Sequence, residues 1–233
     1  TAQITPIAEI QANLFHYFSA IKDPRVTRTK KHLLKDILVI AILAVIAGAE
    51  GWEDLENYGI SKEQWLSEFW ELPHGIPSDD TFRRVFERID PEALPRSLTK
   101  WVQQLIPSLE QEIVPIDGKC LRGSDDRENG IKALHLVTAW VPQQNLTLGQ
   151  IKVEDHSNEI TAIPALLELI DTFNEDQSRI PSGNAPRNFA LLRRMALNAL
   201  NLEKTLLRSL RQKSKRTSMN NDYMVTVLRC FCQ

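Results

Sequence analysis

The 233-residue sequence lacks most of the features that fix a protein's class at a glance. It has three cysteines, an odd number, and two of them crowd together at Cys230 and Cys232. No disulfide framework is expected from that usage, and a reducing cytoplasmic setting is favoured. A formal net charge of −2 leaves no global basic field to attract nucleic acid, so any such affinity must come from local patches. The longest uncharged apolar run, residues 37–49, falls short of the ~20 residues a membrane span needs and reads as a buried helix. Residues 1–5 have neither a basic start nor an apolar core, so no signal peptide is expected. Repeats and low-complexity segments are absent. A hydrophobic content of 42% and a charged content of 25% suit a globular chain of one or two domains.

The most informative stretch is 113–123, an apolar run that ends in Asp117, then Gly118, then the cations Lys119 and Arg122. A strand ending this way sets a carboxylate at the edge of a sheet, and Gly118 permits close approach of another backbone or a phosphate. Residues 133–141 and 147–153 are two further runs of strand length, separated by turn-like Pro142-Gln143-Gln144-Asn145, and together they predict a hairpin. A helix should follow from Asn158, with Ile160, Ile163, Leu166, Leu167 and Ile170 on one face. Glu159 lies in its first turn, where it could ligate a metal or simply pair with the helix dipole.

The order IDGKCLRGS (116–124), LHLVTAW (134–140) and SNEITAIPALLELI (157–170) resembles the DDE transposases of the H-repeat-associated insertion-sequence family. Residues 14–106 resemble the helical domain that precedes the catalytic core there, and residues 173–200, from the FNED stretch through Asn198-Ala199-Leu200, resemble a later family segment. The resemblance implies metal-dependent phosphoryl transfer on DNA by two Asp and one Glu, with Mg²⁺ as cofactor. It implies element-end DNA as partner, with a second copy or an intact transposase as possible company. One departure stands out. Family members carry a long segment between the SNEITAIPALLELI helix and the FNED stretch, bearing the second Asp and the Glu. Here Leu169-Ile170-Asp171-Thr172 runs straight into Phe173, as after an internal deletion. Asp117 is then the one remaining member of the catalytic set, with Glu159 as a substitute metal ligand. Lys119 and Arg122 would meet DNA phosphate beside it. The expectation is therefore a transposase by family that is truncated and inactive; the alternative is a DNA-binding module competing with an intact transposase.

The fold expected is α+β. An all-helical domain spans residues 1–108. An incomplete ribonuclease-H-like fold, a three-stranded sheet plus helix, spans 109–172. A C-terminal helical segment with a basic tail spans 173–233. Within the first domain, 33–47 is apolar nearly all round and should form the central helix, ended by Gly48. A short helix over 52–58 should stop at Gly59, and Ser61 with Gln64 reads as a capping box for the next. Ser78 should cap a helix with Phe82, Val85, Phe86 and Ile89 buried, leaving Arg83, Arg84 and Arg88 off that stripe. A short helix, a turn and a helix with exposed arginines is compatible with a helix-turn-helix reader of DNA, or with plain solvated arginines. Residues 22–35 carry six cations against Asp23, and 193–216 carry eight against Glu203, including Arg193 and Arg194. Each block could neutralise phosphates or be merely solvated.

Overall fold

The computed structural model describes residues 7–26, 30–68, 70–105, 116–121, 134–141, 146–153 and 184–232. Five helices come first: α1 (Ile7–Phe18), α2 (Leu34–Ile46), α3 (Trp52–Ser67), α4 (Asp79–Arg88) and α5 (Ala93–Leu105). Strands β1 (Ile116–Leu121), β2 (Leu134–Val141) and β3 (Leu146–Val153) follow. Helices α6 (Ala185–Leu202), α7 (Leu210–Met219) and α8 (Asn221–Leu228) close the chain, with a 3-10 turn over Arg229–Cys232.

The pattern of α2 decides the architecture. Every residue from Asp36 to Ile46 is buried, so the helix needs neighbours all round. It receives them from α1, α3, α6 and α7. Gly48 ends it with φ +101, a left-handed conformation that costs glycine little. A side chain there would also press on Ser214 Oγ of α7, 3.0 Å from the position of a Cβ.

The expected α+β class with an incomplete ribonuclease-H-like fold is overturned, because the described body of the molecule is helical. Ala139 of β2 is buried, and the other core residues that are described lie on helices and their connections. The strand backbones form a plain antiparallel meander in the order β1-β2-β3, with β3 running beside α5 and α6. The helix expected after β3 lies outside the described residues.

The C-terminal helices, too, are built into the helical body. Phe189, Leu191, Leu192, Met195, Ala199 and Leu200 of α6 belong to the same buried cluster as α2 and α4. Leu197 of the same helix is 38% exposed. Further along, Phe231 stacks on Trp101 of α5, ring centroids 4.3 Å apart, and the Trp101 indole donates to the Cys230 carbonyl at 3.2 Å. The apolar side of α6 is covered by α2, some 150 residues upstream.

A second correction concerns α3. It runs unbroken from Trp52 to Ser67, through Gly59. Glycine serves there not as a stop but as clearance: a Cβ would sit 2.5 Å from Ile76 Cγ2. Ser61, inside the helix, donates to the Tyr58 carbonyl at 2.9 Å instead of capping. The unit joining α3 to α4 spans residues 68–78, far longer than the ~3–4-residue turn of a helix-turn-helix.

Candidate nucleic-acid interface

Helix α4 starts as its sequence dictates. Ser78 Oγ accepts from Thr81 N at 3.4 Å, and Asp79 N donates to Glu56 Oε2 at 2.9 Å, tying the helix start to α3. Phe82, Val85 and Phe86 are buried, and Arg83, Arg84 and Arg88 are exposed. The exposed arginines are nevertheless engaged. Arg83 bridges Asp80 and Glu87, donating to Glu87 Oε1 at 2.8 Å. Arg84 reaches the other oxygen of Asp80 at 2.8 Å. Arg88 has no ion pair among the described residues. With Asp79, Asp80 and Glu87 against three arginines, the helix carries no net charge.

The far end of α4 is fixed from α6. The buried Asn188 amide donates to the carbonyls of Phe86 at 2.8 Å and Ile89 at 3.4 Å, and Arg187 pairs with Glu92 at 2.7 Å. The two Asn188 bonds satisfy carbonyls at the helix end that have no partner within α4 itself.

The 22–35 strip is likewise committed in part. Arg25 forks onto Asp23 with two 3.0 Å bonds and donates to the His32 carbonyl at 2.7 Å. Lys30 approaches the same carboxylate at 3.7 Å, and the Lys35 ammonium lies 5.1 Å over the Phe15 ring. On α6, Arg193 donates to the Glu50 carbonyl at 2.9 Å, with its guanidinium 4.7 Å over Phe189; Arg194 is half-buried.

Residues 203–223 are arranged differently. Glu203, 6% exposed, accepts from Tyr223 Oη at 2.6 Å and from Leu206 N at 3.1 Å, with further bonds from Thr205. The buried Lys213 ammonium lies 3.2 Å from the same Glu203 oxygen that Tyr223 reaches and donates to the Leu200 carbonyl at 3.0 Å. Burial pushes the Glu203 carboxyl up, but the hydrogen bonds from Thr205, Tyr223 and Lys213 win and hold it down at about 2. Tyr223 is raised, by burial first and by the Glu203 carboxylate second. Glu203 is thus turned inward. From 204 to 221 the chain has no Asp or Glu at all, and Lys204, Arg208, Arg211, Lys215 and Arg216 are all exposed. Arg216 lies 5.5 Å over the Tyr223 ring. Among the five, no ion pair forms with a described residue. The sequence signal for this surface was the block over 193–216, eight cations against Glu203.

Of the remaining sequence candidates, Asp117 and Lys119 lie on β1, in register with Thr138 and Leu136. Arg122 and Glu159 lie outside the described residues. Among the described residues, no three His, Cys, Asp or Glu side chains come together to hold a metal, and no helix is long and apolar enough to cross a membrane.

Comparison with known proteins joins the two parts of the argument. Residues 15–102, the stretch from α1 to α5, match the DDE_Tnp_1-associated family. The chain is 42% identical over 159 residues to a protein named "Putative transposase YncI" from Escherichia coli O157:H7, covering 68% of this chain and 41% of that one. It is 40% identical to "H repeat-associated putative transposase YhhI" of Escherichia coli K12, covering 68% of this chain and 42% of that one. It is 42% identical over 72 residues to "Inactive transposase YbfQ" of the same strain, covering 31% of this chain and 86% of that one. Against the longer relatives the chain spans less than two thirds of their length. No solved structure matches it. The family match from α1 to α5 and identities of about 40% to these proteins agree: the chain belongs to the H-repeat-associated transposase family.

Proposed function

We propose that this chain is a transposase copy that binds DNA but does not perform strand transfer. The observation that carries the reading is the junction at Asp171-Thr172-Phe173, where the segment expected to bear the second Asp and the Glu is missing. Two-metal phosphoryl transfer needs carboxylates that hold both ions ~3.5–4 Å apart, one activating the attacking oxygen and one stabilising the leaving oxygen. Mg²⁺ takes oxygen ligands in octahedral geometry. Asp117, even with Glu159 beside it, is too small a donor set for such a pair, so the chain does not fit the cofactor its family implies.

The helical body is a different matter. Its core is continuous from α1 to the 3-10 turn at Cys232, which supports a part that folds and presents a fixed surface. Binding and chemistry are separable on this reading. The test is incubation of the full chain with element-end duplex DNA and Mg²⁺ or Mn²⁺, beside an intact family member. Retarded DNA without joined product is expected. Joined product that disappears in Asp117→Ala would overturn the reading.

A further inference from the structure

We infer that DNA phosphates are gripped at the corner between α6 and α7, by Lys204, Arg208, Arg211 and Lys215, and not by the arginines of α4. The inference rests on the DNA-binding part of the proposal above and says which surface does the binding.

Three blocks of cations compete for that role, and their partners separate them. On α4, Asp80 and Glu87 already occupy Arg83 and Arg84, so a phosphate would have to displace a carboxylate from each. In the 22–35 strip, Asp23 takes Arg25 and attracts Lys30. At the α6–α7 corner Glu203 is buried against Lys213 and Tyr223, and Lys204, Arg208, Arg211 and Lys215 form no ion pair with a described residue. A phosphate arriving there displaces only water and counterions, which is the source of salt-dependent affinity for DNA.

The shape suits the ligand. Lys204, Arg208, Ser209 and Gln212 line an open groove of about 650 Å³, with Asn201 at its wall. Open grooves lined by one sign of charge concentrate counter-charged ligands. Rigidity is supplied from beneath. Lys213 fastens α7 to the end of α6, Ser209 Oγ accepts from Gln212 N at 3.4 Å, and Thr217 Oγ1 donates to the Ile46 carbonyl of α2 at 3.2 Å. The cations therefore stand on a fixed frame, which lowers the ordering cost of binding.

The experiment is fluorescence anisotropy of a labelled duplex titrated with the full chain over a salt series. Two variants are compared with the unmodified protein: Lys204→Gln/Arg208→Gln/Arg211→Gln/Lys215→Gln, and Arg83→Gln/Arg84→Gln/Arg88→Gln. Circular dichroism and thermal unfolding verify that both fold. The corner variant should lose about 10- to 100-fold in affinity at low salt and most of the salt dependence, since each lost phosphate contact removes ~0.9 from the slope. The α4 variant should stay within about threefold. A corner variant that binds like the unmodified chain, or an α4 variant that loses as much, overturns the assignment and leaves the proposed function standing. Failure of the unmodified chain to bind any duplex overturns both. Equal affinity for anionic phospholipid vesicles and DNA would also overturn the assignment, by showing a surface that takes any polyanion.

Discussion

Helix α4 and the segment from Glu203 to Tyr223 use the same side chains in opposite ways. On α4 the acids stand on the exposed face, three and four residues from the arginines, so charge is cancelled where solvent can see it. In the later segment Glu203 is turned inside against Lys213, while Lys204, Arg208, Arg211, Lys215 and Arg216 are left out. Counting charges along the chain would rank the two as a balanced helix and a basic tail. The structure adds that the basic segment is not a frayed tail but a capped helix on a buried anchor. An exposed pair contributes little to stability and cancels its own charge at the surface; a buried pair is strongly destabilising to break by removing one partner.

The largest effect should come from breaking the buried member of the comparison. Lys213→Ala leaves Glu203 buried with its ammonium partner gone, and should cost about 3–5 kcal/mol in urea unfolding. Arg83→Ala, which removes both of its exposed pairs, should cost less than about 1 kcal/mol. Similar losses at the two sites would end the distinction.

Acid titration sharpens the same contrast. Glu203 is held at about 2 in the folded chain against 4.5 for an ordinary glutamate. A carboxyl depressed by folding stabilises above its unfolded value and loses that stability as pH falls through the folded one. The chain should therefore lose about 3 kcal/mol between pH 4.5 and 2, a figure set by ~1.4 kcal/mol per pKa unit. Glu203→Gln should flatten that limb in pH-dependent denaturation. Tyr223 acts at the other end. Its raised phenol favours the folded state below pH 10, and that contribution falls away as pH climbs above 10.

The smallest change in stability should accompany the most direct manipulation of α4. Asp80→Asn frees Arg83 and Arg84 from their shared carboxylate. Thermal unfolding should shift by less than about 1 kcal/mol equivalent, while DNA affinity should rise, because the helix gains a net positive charge. An affinity that stays flat would mean that α4 does not face the duplex even when its cations are available.

These contrasts were partly legible in the sequence. The near-uniform apolarity of residues 33–47 marked α2 as the central helix, and Ser78 marked the start of α4; both are local patterns. The pairing on α4 was visible too, since Asp80, Arg83, Arg84 and Glu87 stand at helical spacings of three and four. Two things were not legible. Gly59 reads as a helix stop until Ile76, seventeen residues away, is seen pressed against it. Glu203 reads as an acid that trims a basic block until Tyr223 and Lys213 are seen closing over it. The ribonuclease-H-like expectation failed similarly. It extended a local strand-and-hairpin pattern to a whole fold, while the packing that organises this chain joins α2 to α6 across the intervening sequence.

One measurement bears most directly on where the usable positive charge lies: the slope of log affinity against log salt for the unmodified chain on duplex DNA. Four uncompensated corner cations predict a slope near −4, at ~0.9 per phosphate neutralised. A slope near zero would mean that the corner holds no phosphate. A slope steeper than about −7 would mean that the paired arginines of α4 bind as well, and that their carboxylates do not screen them.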